Sequence, residues 1–176
     1  HFKALVDAAV LRDVGFGASD LLEAGFTPSE LRGAGVSAAE LHEGAGFDYP
    51  ALLALGYGPR ELRSAGASAT VLRQLGCATA TMRGLGVGAA EMKAAHCPLS
   101  ELRESGCSAS ELLEAGCSLH ELKGVGFDAA ELRATKAFGA AEMRACGFTA
   151  SEMRAGGWEA KKLFQAGYDT TEVRRA

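Results

Sequence analysis

Cysteine and histidine are the residue types in this chain best suited to metal or redox chemistry, so their spacing is the first test of function. Cys77, Cys97, Cys107 and Cys117 are separated by ten or twenty residues, and Cys146 lies apart from that series. The chain contains no Cys-x-x-Cys pair and no pair of histidines at zinc-ligand spacing. Because five is an odd number, the cysteines cannot all be paired in disulfides, and this favours a reducing compartment. The sequence therefore predicts no metal site and no cofactor.

Other catalytic and ligand-binding patterns are equally missing from the sequence. The closely spaced glycines of the stretch 84–88 lack the Gly-Lys-Ser/Thr ending of a phosphate-binding loop and are not preceded by a strand pattern. The net charge of −4 argues against a nucleic-acid partner, for which a basic excess is typical. No run approaches the roughly 20 apolar residues that span a bilayer. We therefore expect a non-enzymatic protein with no nucleic-acid partner and no membrane span.

These residues are positioned by an internal repeat of ten residues. Glycine marks position one of most repeats, and His96 and Ala137 fill the two gaps in the series. Sixteen repeats cover residues 15–176 after a degenerate first repeat, 5–14, with one extra residue near Gly44 and another near Lys136. The chain is thus expected to be one repeat array over residues 1–176, and a fragment of a longer chain. The glycines stand at residues 15, 25, 35, 46, 56, 66, 76, 86, 106, 116, 126, 147, 157 and 167.

Each repeat encodes the start and the end of one short helix. Pairs such as Thr27 with Glu30 are capping boxes, in which each side chain bonds the other residue's backbone N–H. The same pattern pairs residue 37 with 40 and residue 108 with 111. The apolar residue at position two and the Leu at position seven form a hydrophobic staple, as in Phe26 and Leu31. Glycine then supplies the left-handed residue that ends the helix, which predicts helices of about seven residues.

The expected fold is an all-α solenoid of about sixteen such helices, since helices this short must be stabilised by stacking. A continuous helix would contain all the glycines, and a β-solenoid lacks the necessary alternation. Positions four, seven and ten, for example Ala38, Leu41 and Ala45, are expected to face inward. The Glu at position six and the Arg or Lys at position eight are expected to form outward ladders that bridge neighbouring repeats. The number of repeats in each turn stays open.

The cysteine and methionine positions fit the same scheme. Four cysteines occupy position two, where other repeats have Phe, Val or Tyr, so we expect small buried hydrophobic residues there. His96 takes a glycine position, and His120 takes an outward one. The methionines replace the core Leu at position seven; they are Met82, Met92, Met143 and Met153.

Residues 25–35 (Gly-Phe-Thr-Pro-Ser-Glu-Leu-Arg-Gly-Ala-Gly) and 147–157 (Gly-Phe-Thr-Ala-Ser-Glu-Met-Arg-Ala-Gly-Gly) carry a family resemblance. The chain resembles the Ala-Gly-Phe-Ser-x-x-Glu-Leu-Arg decapeptide arrays of large, mostly uncharacterised proteins. The resemblance covers nearly the whole chain. It implies a helical repeat region and no particular activity.

Departures from the repeat are the candidate partner-binding residues. In one group the acidic and basic positions are lost, and Tyr49, Leu53 and Val71 are expected to form an exposed apolar strip near Thr81. In the other group Lys replaces Glu and Phe replaces Arg; its residues are Trp158, Lys161, Lys162 and Phe164. Packing of these side chains against neighbouring repeats is the alternative explanation for both groups.

The expected function is a structural scaffold module that mediates protein–protein interaction within a larger assembly. The partners are unidentified proteins, and further repeats or subunits are expected to stack on both open ends, which lack polar capping repeats. Recognition of a repetitive surface such as ice, mineral or polymer is the alternative. A ligand-binding protein or an enzyme would need a convergent polar pocket.

Overall fold

The computed structural model describes residues 7–175, and every regular element in that range is a short helix. The described residues contain sixteen α-helices and one π-helical segment, with starts about ten residues apart, which confirms the expected all-α repeat solenoid. Each α-helix has six residues, one fewer than expected. The start of the degenerate repeat 5–14 lies outside the described residues.

The chain divides after Val87 into two compact units. The helices of the first unit are Ala8–Asp13, Ala18–Glu23, Pro28–Gly33, the π-helical Glu40–Gly44, Tyr49–Ala54, Pro59–Ser64, Ala69–Gln74 and Thr79–Gly84. The helices of the second unit are Ala89–Ala94, Leu99–Glu104, Ala109–Glu114, Leu119–Gly124, Ala129–Ala134, Ala140–Ala145, Ala150–Ala155, Ala160–Gln165 and Thr170–Arg175.

The predicted capping boxes are present at the helix starts. The Glu30 carboxylate accepts from the Thr27 backbone N–H at 2.7 Å, while the Glu30 N–H donates to the Thr27 hydroxyl at 3.3 Å. The boxes at residues 37–40 and 108–111 have the same geometry. Where glycine is the N-cap, as at Gly58, only the carboxylate half of the box can form, and Glu61 accepts at 2.6 Å. Short polar pairs therefore fix where most of these helices begin, whereas helices such as Leu99–Glu104, with Pro98 as N-cap, begin without one.

Left-handed residues end the helices as the repeat predicts. Gly126 has a φ of 90° and Phe127 donates its N–H back to the Leu122 carbonyl at 3.1 Å, which is the bond of a Schellman motif. His96 takes the same conformation, with a φ of 59°. The expectation for Ala137 is wrong, because the left-handed residue is Lys136, with a φ of 58°. Ala137 is thus the extra residue between positions one and two.

The two extra residues are absorbed in different ways. Near Gly44 the helix widens into the π-helical segment Glu40–Gly44, and the Phe47 N–H bonds the Leu41 carbonyl at 3.1 Å. Near Lys136 the helix keeps its length and the loop grows. There the Thr135 hydroxyl donates to the Leu132 carbonyl at 2.7 Å, where a backbone N–H would otherwise bond.

The core of each compact unit is built from positions two, four and seven. The position-seven side chains of the repeats are fully buried, for example Leu41, Leu112 and Met153. Position four is mostly a buried Ala, such as Ala38. Position ten, also expected to face inward, is buried at Ala65 and Ala95 and half-buried at Ala45. Burial of one large side chain per repeat is what holds helices too short to be stable alone.

Helices two repeats apart pack against each other in addition to sequential neighbours. In the first unit Ala8–Asp13 packs on Pro28–Gly33. In the second unit Ala129–Ala134 packs on Ala150–Ala155, and Ala140–Ala145 packs on Ala160–Gln165. Where Ala129–Ala134 packs on Ala150–Ala155, position ten is the buried Gly156, whereas other repeats have larger residues there, such as Ala115 and Val125. Within each unit, these repeats are therefore fixed by the second repeat after them as well as by the next.

Candidate functional site: a row of cation–aromatic pockets

The basic side chain at position eight reaches the end of the helix two repeats later. Lys123 Nζ donates to the Cys146 carbonyl at 3.2 Å, and Arg32 Nη1 donates to the Leu55 carbonyl at 2.9 Å. Lys93 bonds the carbonyl of Gly116 at 2.8 Å in the same way. Carbonyls at a helix C-terminus have no partner within the helix, and the cation complements their partial negative charge. The expected bridges between neighbouring repeats are therefore wrong for these cations, which skip a repeat.

Five position-eight cations lie over an aromatic ring three repeats later. Arg103 Cζ lies 4.3 Å from the centre of the Phe127 ring, and Lys123 Nζ lies 4.5 Å from that of Phe148. Distances below about 6 Å give a favourable cation–π interaction. The remaining pairs of this kind are Arg32 with Tyr57, Arg133 with Trp158, and Arg144 with Tyr168. Position eight and position two are thus joined across three repeats.

A carboxylate at position six completes the arrangement in two described ion pairs. Arg103 Nη2 lies 3.3 Å from a Glu131 carboxylate oxygen, and Arg12 Nη2 lies 3.5 Å from one of Glu40. Both pairs join repeats three apart, whereas the sequence suggested ladders between neighbours. The pairs are partly exposed, so each contributes only about 0–1 kcal/mol.

A cation, a ring and a carboxylate together line an open pocket that recurs along the chain. Four such pockets have the same composition. They are lined by Arg32, Tyr57 and Glu61; by Arg103, Phe127 and Glu131; by Lys123, Phe148 and Glu152; and by Arg144, Tyr168 and Glu172. Each of these four pockets therefore contains at least one cation and one carboxylate.

A fifth pocket differs in charge, and we call it the Trp158 pocket. Arg133 provides the cation and lies 5.8 Å from the Trp158 ring centre, but position six of that repeat is Lys162. Lys136, at the site of the extra residue, also lines the pocket. No carboxylate lines this cleft of about 680 Å³. Three cations therefore meet at one pocket.

The indole of Trp158 adds an unsatisfied donor to the Trp158 pocket. Its Nε1–H is buried and has no acceptor among the described residues. A buried donor without an acceptor costs about 1–3 kcal/mol. Arg133 still bonds the Gly156 carbonyl at 3.4 Å, as Arg32 and Lys123 bond a carbonyl in two of the other pockets.

Of the predicted C-terminal partner-binding residues, only two meet in this pocket. Trp158 is half-buried and Lys162 is exposed. Lys161 and Phe164 are also exposed, Phe164 to 47%, but neither lines the pocket. Sequence reasoning missed Arg133 and Lys136, although the Lys at position six was a signal for the change of charge.

The predicted strip around Tyr49 is not an exposed apolar surface. The Tyr49 hydroxyl donates to the Ala65 carbonyl at 3.1 Å, and its ring lies 4.4 Å from that of His42. Val71 is half-buried, and Leu53 is 38% exposed. Thr81 is exposed but polar. Tyr49 stands at position four, which faces inward in the other repeats, and this explains the error.

The cysteines and histidines form no metal-binding group of three within the described residues. Cys97, Cys107 and Cys117 are buried, and all five cysteines are free thiols. Burial raises the pKa of the half-buried Cys77 thiol. His120 lies three residues after Cys117, but its Nδ1 is 3.9 Å from the Sγ atom of another cysteine, Cys146.

None of the described helices is long and apolar enough to cross a membrane.

Hydrogen bonding lowers the pKa of some glutamate carboxyls in the array, and burial raises the pKa of a tyrosine hydroxyl. The hydroxyl and backbone N–H of Ser37 lower the pKa of Glu40, and Arg12 lowers it further. The backbone and hydroxyl of Thr149 lower the pKa of Glu152. Burial raises the pKa of Tyr57, whose hydroxyl donates to the Val36 carbonyl at 2.6 Å. The capping carboxylates are thus held in their charged form.

Six-residue helices with a capping box at the start, a left-handed residue at the end and one buried Leu or Met define the chain as a repeat solenoid of decapeptides. The model of the decapeptide repeat region matches residues 3–69 and 66–138, and the chain belongs to that family. No curated protein and no solved structure matches the chain. The match to the family model ends at residue 138, before Trp158 and Lys162. The short helices of the repeat nevertheless continue through Thr170–Arg175.

Proposed function

We propose that the chain is a non-enzymatic scaffold module that binds another protein through the exposed surface of the helix Ala160–Gln165 and the adjoining Trp158. The observation that supports this most strongly is the residue at position eight of this repeat, which is Phe164, a large apolar side chain. Most repeats have a cation at this position. An aromatic side chain beside exposed cations is typical of a residue that anchors an interface.

The composition of the other pockets supports a scaffold better than an enzyme. Two of their cations, Arg32 and Lys123, already bond backbone carbonyls and therefore stabilise the fold. Their carboxylates cap helices, as Glu152 does for the Thr149 N–H at 2.7 Å. Residues that already have structural roles of this kind support a scaffold better than a catalytic site. The decapeptide Ala-Gly-Phe-Ser-x-x-Glu-Leu-Arg serves in this proposal as the framework from which the binding residues depart.

Site-specific photo-crosslinking tests the proposal. A photoreactive phenylalanine analogue is placed at residue 164 or, as a matched control, at residue 154, which is the same position one repeat earlier and is also exposed. In native extract we expect a protein crosslinked from residue 164 and not from residue 154. Unlabelled protein should compete, and Phe164→Arg, which restores the common residue of position eight, should compete poorly. Identical products from both residues, or none from 164, contradict the proposal.

A further inference from the structure

We propose that the Trp158 pocket binds a carboxylate side chain of an acidic peptide segment; this rests on the proposed function and names the chemistry of the partner. The basis is a comparison within the chain. In four pockets a carboxylate at position six accompanies the cation, as Glu131 lies 3.3 Å from Arg103. In the Trp158 pocket Lys162 occupies that position. Of the five pockets, only the Trp158 pocket has no carboxylate of its own, and a carboxylate from another chain supplies that anion.

The charges at the pocket favour an anion strongly. Arg133, Lys136 and Lys162 line it, and no carboxylate among the described residues pairs with either lysine. Like charges close together are unfavourable, so a bound carboxylate relieves repulsion and accepts charge-assisted hydrogen bonds. Arg133 can offer its remaining N–H groups, since Nη1 bonds the Gly156 carbonyl. The Trp158 and Phe138 rings provide an apolar wall for the methylenes of the ligand.

The surroundings of the pocket favour a short carboxylate over a long polyanion. Glu142 and Glu152 are exposed in preceding repeats, Glu159 is exposed next to Trp158, and the whole chain has a net charge of −4. A nucleic acid or another extended polyanion would lie against these carboxylates and be repelled. A single Glu or Asp side chain in a peptide needs only the pocket itself. We therefore assign the occupant to an acidic segment of a protein.

The pocket carries its own reporter, because Trp158 is the single tryptophan of the chain. Titration of the purified protein with a short oligoglutamate peptide should change the Trp158 fluorescence saturably. Added salt should weaken the binding, because it screens exposed charges. An oligolysine peptide of equal length should have no effect. A fluorescence signal that does not respond to oligoglutamate overturns the proposal.

Lys162→Glu is the decisive variant, because it restores the residue that the other four pockets have at position six. We expect oligoglutamate affinity to fall by about tenfold or more, since charge-assisted bonds are replaced by repulsion. Lys161→Glu is the matched control: it changes the net charge equally on the same helix but does not line the pocket. It should change affinity by no more than about twofold, because an exposed charge outside the pocket is screened. Equal losses in both variants would indicate general attraction and overturn the proposal.

Folding does not confound this comparison. Glu at position six caps the N-terminus in neighbouring repeats, so Lys162→Glu should keep or raise the thermal unfolding midpoint. Inorganic phosphate and a phosphopeptide are titrated in parallel, and tighter binding of either than of oligoglutamate overturns the assignment to a carboxylate. If oligoglutamate fails while residue 164 still crosslinks a partner, the pocket proposal is wrong and the scaffold proposal stands. If oligoglutamate binds but residue 164 crosslinks no partner, the scaffold proposal is wrong and the binding of a carboxylate by the pocket stands.

Discussion

The Arg103 guanidinium carbon lies 4.3 Å from the centre of the Phe127 ring, and these residues belong to repeats three apart. The same guanidinium group lies 3.3 Å from Glu131, in the repeat of Phe127. One cation therefore joins two helices that the chain separates by two others. Because this relationship recurs at Lys123 with Phe148, it is a rule of the array.

Close packing between helices two repeats apart leads to a prediction at Gly156. A Cβ added there would lie 2.8 Å from the Cβ and carbonyl carbon of Ala129, which are atoms that cannot move freely. We expect Gly156→Ala to lower the free energy of unfolding by about 1–3 kcal/mol, as overpacking does. Denaturant unfolding measures the change.

Gly124→Ala is the control for that substitution. Gly124 is the last residue of a helix, and an added Cβ would have no atom within 4 Å. This substitution should raise the free energy of unfolding by about 0.5–1 kcal/mol, because alanine favours the helix and restricts the unfolded chain. Equal effects of the two substitutions would contradict the packing observed at Gly156.

The left-handed conformation of His96 gives a second prediction. Its φ of 59° is unfavourable for a residue with a Cβ and ordinary for glycine. His96→Gly should therefore raise the free energy of unfolding by about 1 kcal/mol. Ala95→Gly, one residue earlier at a φ of −77°, should lower it by about 1 kcal/mol. A destabilising His96→Gly would mean that the imidazole makes a contact more important than the backbone strain.

The capping carboxylates predict how stability depends on pH. Thr149 lowers the pKa of Glu152 in the folded chain, so this carboxylate stabilises the fold above its unfolded pKa of about 4.3. The stabilisation is lost as pH falls through the lower, folded pKa. Glu152→Gln retains a capping side chain without a charge, so its deficit in stability should be constant above about pH 5 and should shrink below about pH 4. A deficit that grows on acidification would contradict this sign.

The helix boundaries and the main core residues could be predicted from the sequence, because local bonds fix them. The box of Thr27 with Glu30 and the left-handed Gly126 depend only on residues within the same or the next repeat. Burial of Leu41 follows from the helical period alone. Such features are encoded once in every ten residues.

The contacts between distant repeats could not be predicted in this way. A motif repeated with little change does not specify whether Arg103 meets the next ring along the chain or Phe127, three repeats later. The sequence also did not indicate that the hydroxyl of Tyr49 would donate to the carbonyl of Ala65, sixteen residues later. Lys136 and Ala137 both fit the gap in the glycine series, and only the backbone distinguishes them. The Trp158 pocket depends on all these choices, so only two of its residues were identified in advance.

A double-mutant cycle on Arg103 and Phe127 tests most directly whether cations join repeats three apart. Arg103→Met, Phe127→Leu and the double variant are compared by denaturant unfolding, and Lys161→Met with Phe127→Leu is the control cycle. The contact at 4.3 Å predicts a coupling of about 0.5–1 kcal/mol for the first pair and none for the control. Additive effects of Arg103→Met and Phe127→Leu would contradict the three-repeat contact.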